Sequence, residues 1–239
     1  MFDGTTIILD EFAGFTKQEY NIIKILLNKA KNIIVTICTD SLNESENKET
    51  DIFYANKQTW DAMPEQEAKI SSENIKCFNP SENMEIKDFK IYPFKIPHDA
   101  ANPCGFNLFH DDKKISIATD IGHMDNNLLD KLKESSFILL EANYDPDILK
   151  YSKYPFQLKQ RILSPIGHLS NESSGKTITE LTTKYGLKSA MLGHLSKENN
   201  FPELALKTVT DELQNKNVTT KDVTIQVASR DYPSKLIKI

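Results

Sequence analysis

His98, Asp120, Glu141, His168 and His194 stand at the ends of short apolar runs or in tight polar turns. His98 follows an alternating stretch over 83–96, Asp120 closes 115–119, Glu141 closes 137–140 and His194 closes 190–193. His168 lies in Gly167-His168-Leu169-Ser170-Asn171. Strand ends of an α/β sheet are where catalytic side chains gather. Imidazoles and carboxylates together are natural ligands for zinc or manganese. An aspartate at such a point can bridge two dications ~3.5–4 Å apart and activate water for phosphoryl displacement. A lone histidine in a turn is more simply structural, and that is the reading for His110 in the hairpin turn at Asp111-Asp112. His123 reads equally as a neighbour of the site or as a loop residue. Packing explains His98, Asp120 and His194 less well, because three separate strand ends each deliver a ligand-type residue. Lys159 and Arg161 share one short helix; they either hold a phosphate or line a solvated helix face.

Residues 5–10 form a β-branched run read as a buried strand. Thr16 is a helix N-cap with Glu19 completing a capping box, and an apolar face from Tyr20 continues to Ala30. Residues 33–38 are a second strand, so the start of the chain is a β-α-β unit with parallel strands. Residues 40–51 are polar and make the best linker candidate. Beyond it the pattern predicts strands over 83–96, a hairpin of 106–109 and 115–119, a helix near 126–134 and a strand over 137–140. Helices near 156–164, 173–185 and 202–215 and strands at 188–193 and 223–228 complete a mixed α/β chain without internal repeats.

The 239 residues suffice to bury a core, and 39% hydrophobic with 26% charged residues is an ordinary globular composition. Mean hydropathy is -0.45, and no apolar run has the ~18 residues of a membrane helix. Met1-Phe2-Asp3-Gly4 lacks the basic start of a secretory leader. Cys38, Cys77 and Cys104 form neither a disulfide framework nor a zinc site, which fits a reducing cytoplasm. A net charge of -5 excludes the broad positive field that drives non-specific nucleic-acid binding. It leaves room for a nucleic-acid enzyme whose metal ions supply positive charge locally.

Several segments then occur in a specific order: Pro97-His98-Asp99-Ala100, Pro103-Cys104-Gly105-Phe106, Ala118-Thr119-Asp120-Ile121-Gly122 and Leu140-Glu141-Ala142-Asn143. Tyr154-Pro155-Phe156-Gln157-Leu158-Lys159-Gln160-Arg161, Gly167-His168-Leu169-Ser170-Asn171 and His194-Leu195-Ser196 follow. From about residue 54 to 239 the chain resembles YycJ/WalJ-type metallo-β-lactamase-fold hydrolases, metal-dependent phosphodiesterases linked to DNA exonuclease activity. The resemblance implies the C-terminal half of an αββα sandwich. It implies that His98, Asp120 and His194 ligate metal, with Asp120 the bridging carboxylate. It also implies that Glu141 and His168 form a proton-relay pair, in which a carboxylate orients an imidazole that protonates the leaving oxygen. Where members of the family often carry Asn-His-Asp after the glutamate, this chain has Asn143-Tyr144-Asp145.

The family's His-x-His-x-Asp-His signature, which supplies most ligands for two metals, is absent; the closest two histidines, His98 and His110, are 12 residues apart. Residues 1–53, through Leu9-Asp10-Glu11-Phe12, Val35-Thr36-Ile37-Cys38 and Thr50-Asp51-Ile52-Phe53, instead resemble a stretch of the AddB-type component of AddAB-type helicase-nucleases. The chain thus reads as a chimera of two parts, 1–53 and 54–239. The expected activity is an impaired metal-dependent phosphodiesterase holding at most one weakly bound Zn²⁺ or Mn²⁺. Nucleic acid is the expected substrate, no membrane partner is expected, and a homo-oligomer through uncovered apolar surface is expected. A non-enzymatic remnant or interaction fragment is the alternative, and a helicase-nuclease accessory a weaker one. Ile7-Ile8-Leu9-Asp10-Glu11 has the shape of a Walker B strand. Its phosphate-loop partner is lacking: Gly175-Lys176-Thr177 has Ser170, not glycine, five positions earlier, and Ser173-Ser174 reads as a helix N-cap.

Overall fold

A computed structural model describes residues 6–10 and 32–36 as backbone, and residues 52–219, 221–230, 234 and 237. The helix expected after Thr16, the linker at 40–51 and Cys38 lie outside the described residues. The chain divides into two compact units, Met1–Asn79 with Arg230–Ser234 and Pro80–Ser229 with Lys235–Ile239.

The first unit holds a four-stranded sheet in the order β1-β2-β3-β4: Thr6–Asp10, Asn32–Thr36, Ile52–Asn56 and Ile75–Phe78. All neighbours are parallel, with Thr6 opposite Asn32, Ile34 opposite Ile52 and Phe53 opposite Ile75. Parallel pairing of β1 and β2 agrees with the expected β-α-β entry. The same sheet carries on through β3 and β4, past residue 53, because β2 leaves an edge that Ile52 and Phe53 occupy. Helix α1 (Lys57–Ala62) starts at Asn56, whose side chain accepts from Thr59 N at 3.0 Å, and a short α2 (Pro64–Glu67) follows. Trp60 anchors α1 to the sheet: its indole is buried and donates to Lys76 O at 3.3 Å.

The second unit is built on seven strands in the order β11-β10-β9-β8-β7-β6-β5. Chain order gives β5 (Met84–Ile86), β6 (Phe89–Lys95), β7 (Cys104–His110), β8 (Lys113–Ala118), β9 (Phe137–Glu141), β10 (Ser189–Gly193) and β11 (Thr224–Val227). The segment β5 to β8 is an antiparallel meander, whereas β8, β9, β10 and β11 run parallel. Because β7 is antiparallel to both β6 and β8, strands β6, β8, β9 and β10 all end on the same edge of the sheet. The expected hairpin sits as read, although its strands are longer.

Helices α3 (Asn126–Leu132), α4 (Pro146–Tyr151), α5 (Phe156–Ile162), α6 (Asn171–Tyr185) and α7 (Pro202–Gln214) connect these strands. Leu128 and Leu132 of α3, Ile178 and Leu181 of α6, and Val209 and Leu213 of α7 pack on Ala118, Ile138, Leu140, Ala190 and Leu192 of the sheet. Alternation in β9 and β10 sends these residues to the helices and leaves Glu141 and Gly193 on the other face. Helix α4 has no counterpart in the sequence pattern, although its start is legible: Asp145 caps Asp147 N and Ile148 N at 3.0 Å, and Pro146 sits at N1. Helix α6 begins two residues earlier than expected. Its cap is Ser170, whose hydroxyl accepts from Ser173 N at 3.2 Å, so Ser173-Ser174 lie inside the first turn. Gly175-Lys176-Thr177 is therefore helix interior, and Gly175 faces Val209 and Glu212 of α7.

Leu140 is fully buried at the centre of this core. Leu140→Ala is expected to lower the unfolding free energy by about 3 kcal/mol, read from urea denaturation followed by circular dichroism.

Candidate metal centre

Five chain segments converge: the carboxyl ends of β6, β8, β9 and β10 and the loop before α6. Glu141 is the last residue of β9 and His194 directly follows β10, in register through the Gly193–Glu141 pair. Asp120 lies two residues beyond β8, His98 three beyond β6, and His168 on the loop before α6. Asp120 and His194 have φ of 53° and 54°, the left-handed region that costs a non-glycine residue on the order of 1 kcal/mol. Both strands break their extended path there, which turns each side chain inward instead of letting the strand alternation set it.

Two glycines allow the loops to close. A Cβ at Gly122 would stand 2.2 Å from Pro165 O, and one at Gly167 would stand 2.3 Å from Ile162 O. The latter carbonyl is the one that accepts from His168 N at 3.0 Å. Gly122 N in turn donates to Pro97 O at 2.9 Å, tying the Asp120 loop to the His98 loop.

At the centre is Glu141, fully buried. Its Oε2 accepts from Ile121 N at 2.7 Å and Leu169 N at 3.3 Å. Its Oε1 accepts from Nδ1 of His168 and Nδ1 of His194, each at 2.8 Å. Burial by itself raises the carboxyl pKa, but the hydrogen bonds from His168 and His194 outweigh it and hold the group down at about 2. An ionised carboxylate can only accept, so both Nδ1 atoms carry hydrogen. In the neutral rings the lone pair is then on Nε2, the form that ligates metal. His98 follows the same rule by another route, since its Nδ1 donates to Gly167 O at 3.0 Å.

Asp120 is 4% exposed, and its Oδ1 lies 3.4 Å from Nδ1 of His168, 3.4 Å from Nδ1 of His194 and 3.5 Å from Nε2 of His98. Asp120, Glu141, His168 and His194 each offer a ligand atom, and those atoms all lie within 4.8 Å of one another. The imidazole rings of His168 stand 5.1 Å from His98 and 5.3 Å from His194. Imidazole nitrogen and carboxylate oxygen in one partly buried cluster, with tautomers preset, suit a divalent metal ion.

The remaining sequence candidates sit differently. Lys159 donates to Lys150 O at 2.7 Å and Ser152 O at 2.8 Å, so its ammonium holds the turn after α4. Arg161 makes a two-pronged pair with Asp99, Nε to Oδ2 at 2.5 Å and Nη2 to Oδ1 at 2.8 Å. The guanidinium hydrogen bond holds the Asp99 carboxyl below the usual carboxylate range. Asp99 Oδ1 is also 3.5 Å from His98 Nε2, so this pair borders the cluster. His123 Nδ1 donates to Pro165 O at 2.8 Å, and His110 lies against Phe89 in the hairpin.

Three asparagines that the sequence pattern does not single out frame the site. Asn200 Nδ2 donates to Ala142 O at 2.8 Å, to Asn143 O at 3.1 Å and to Asn171 Oδ1 at 2.8 Å. Asn143 Nδ2 donates to His194 O at 2.8 Å. All three are buried although their sequence neighbours are largely polar, as in Ser170-Asn171-Glu172 and Glu198-Asn199-Asn200, so no local pattern marks them.

Comparison with known proteins agrees with a two-part resemblance. The family model described as ADDB, N-terminal, matches residues 1–90. An "Exodeoxyribonuclease WalJ" of Streptococcus pneumoniae is 37% identical over 163 residues, covering 67% of this chain and 60% of that protein. The B-type component of an ATP-dependent helicase/deoxyribonuclease of Clostridioides difficile is 26% identical over 137 residues, covering 51% of this chain and 12% of that protein. The chain thus spans about three fifths of the length of the first of these relatives. Among solved structures, the metallo-β-lactamase fold protein YhfI of Bacillus subtilis superposes with a TM-score of 0.63 at 11% identity, covering 94% of this chain and 85% of that one. The chain is a mixed α/β protein of metallo-β-lactamase-like fold. No helix among the described residues is long and apolar enough to cross a membrane.

Because Glu141 has a folded-state pKa of about 2 against an ordinary 4.5, its contribution to stability is complete above pH ~4.5 and is lost as pH falls toward 2. Glu141→Gln is expected to flatten that acid limb in pH-dependent thermal melts. The same variant is expected to weaken divalent metal binding about 10–100-fold, read by competition with a chromophoric chelator.

Proposed function

We propose, from the likeness of one part of the chain to WalJ/YycJ-type exodeoxyribonucleases and of the other to the AddB-type component of helicase-nucleases, that this chain is a metal-dependent phosphodiesterase acting on nucleic acid. The observation that carries the reading is the sharing of Glu141 by two imidazoles beside a buried aspartate. His98, Asp120 and His194 are the metal-holding residues in this reading, and His168 with Glu141 is the proton-relay pair. A bound divalent ion would supply Lewis-acid polarisation of a phosphoryl oxygen and a lowered pKa for water. With Nδ1–H held on Glu141, a protonated His168 can release a proton only from Nε2, toward a leaving oxygen. Glu141, kept anionic by its hydrogen bonds despite its burial, stabilises the charged ring before that release.

The lack of a His-x-His-x-Asp-His segment supports one weakly held ion, Zn²⁺ or Mn²⁺. It also supports reduced activity, since losing a metal removes several kcal/mol of charge stabilisation and each ~1.4 kcal/mol is tenfold in rate. The two-part architecture reads as a chimera, its helicase-nuclease-like part ending between the expected boundary near residue 53 and the end of the match at residue 90.

Two measurements test this. Metal analysis after dialysis is expected to give no more than one ion per chain; two tightly held ions would overturn the single-metal reading. Turnover of bis-p-nitrophenyl phosphate with added Mn²⁺ or Zn²⁺ is expected at least ~10³-fold below a relative with the full motif. His194→Ala is expected to fall to the uncatalysed background; an equal rate in this variant would remove the cluster from the chemistry.

A further inference from the structure

Between Glu141 and His168 the chain makes an excursion that begins and ends at the histidine cluster. Asp145 N donates to Asn199 O at 2.9 Å at its start. At its end Ile162 O accepts from His168 N and Gly167 O accepts from His98 Nδ1, each at 3.0 Å. In between, Leu149 and Ile162 turn inward onto Tyr144, with Tyr154 and Leu158 beside them. Four other apolar side chains turn outward: Tyr151 is 78% exposed, Phe156 75%, Leu163 52% and Ile166 49%. They make up most of the large hydrophobic side chains exposed among the described residues.

Core packing does not account for these outward rings, because the inward residues already satisfy α4 and α5. Charge marks the same stretch. Residues 146–168 carry Lys150, Lys153, Lys159 and Arg161 against one acid, Asp147, in a chain whose net charge is -5. Lys159 and Arg161 are engaged with Ser152 O and Asp99, which leaves the exposed Lys150 and Lys153 as the forward cations. Lys150 Nζ lies over the Tyr151 ring at 5.1 Å from its centroid. Exposed aromatic rings interleaved with lysines are the surface that single-stranded nucleic acid uses, bases stacking on rings and phosphates meeting ammonium groups.

We propose that the outer face of residues 150–166, with Tyr151 and Phe156 as stacking rings and Lys150 and Lys153 as phosphate partners, binds single-stranded nucleic acid next to the histidine cluster. The inference rests on the phosphodiesterase reading for its purpose, and names the form of substrate that this site receives: a strand with unpaired bases.

The test separates binding from hydrolysis. Fluorescence anisotropy with a labelled single-stranded oligodeoxynucleotide on the order of ten nucleotides long is measured in EDTA, where no metal-dependent turnover occurs. The double variant Tyr151→Ala/Phe156→Ala is expected to bind roughly tenfold or more weakly, with an unchanged thermal melt. An abasic oligomer of equal length, with the same phosphates and no bases, is expected to bind the unsubstituted chain as weakly. Iodouracil photocrosslinking of the unsubstituted chain, mapped by mass spectrometry, is expected to mark Tyr151 or Phe156.

Equal affinity of the double variant, equal binding of the abasic oligomer, or crosslinks confined to other segments would each overturn the proposal. A double variant that shifts a dimer to monomer in sedimentation, with oligonucleotide affinity unchanged, would overturn it too and assign the face to a second copy of the chain. Failure of the phosphodiesterase reading in the bis-p-nitrophenyl phosphate assay would leave this binding measurement untouched, so the two failures are distinguishable.

Discussion

One buried carboxylate sets the terms for the whole site. A charge removed from water needs donors from several directions, and Glu141 takes them from the loop after β8, the loop before α6, and two imidazoles. These four donors come from three different connections, so satisfying Glu141 fixes the relative placement of all three. The same bonds preset both imidazole tautomers. The left-handed backbone at Asp120 and His194 then has a local reason: the turn at Asp120 delivers Ile121 N to this carboxylate, and the turn at His194 delivers its imidazole.

Around that charge stands a frame of neutral amides. Asn143, Asn171 and Asn200 bond to one another's carbonyls and to the backbone of β9's extension and of His194. Amides can meet donors and acceptors at once, so a closed set of them can be buried without an unpaired charge. Ser174 adds a bond from the first turn of α6 to Glu141 O, coupling the longest helix of the second unit to the strand that carries the carboxylate. The position of α6 is therefore held both by its apolar face on the sheet and by this polar seam.

The segment from α4 to His168 is held by the same kind of bond but presents a different surface. Its carbonyls at Ile162 and Gly167 support two histidines, and the Arg161–Asp99 pair pins its middle next to His98. Its small inner core joins Tyr144, Leu149 of α4 and Ile162 of α5, with Tyr154 and Leu158 packed against them. What it leaves outside is apolar and cationic, in contrast to the acidic balance of the chain as a whole.

The sequence by itself determined the order of the strands and of every helix but α4 in the second unit, because alternation and helical spacing are local and each element buries one face. It also determined which residue types end the strands, and so brought His98, Asp120, Glu141, His168 and His194 into view. It did not reveal that Ser170 caps α6, nor that α4 exists, because a short helix has too few apolar positions to show a period. Only the tertiary structure decided that strands β6, β8, β9 and β10 end on one edge, that Lys159 turns to loop carbonyls, and that Arg161 meets Asp99 across 62 positions. It alone decided that Glu141 serves two histidines, 27 and 53 residues away. The physical reason is that hydrogen bonds between side chains far apart in sequence leave no periodic trace; they follow from how the core brings connections together, and a single buried charge then selects among the arrangements the core permits.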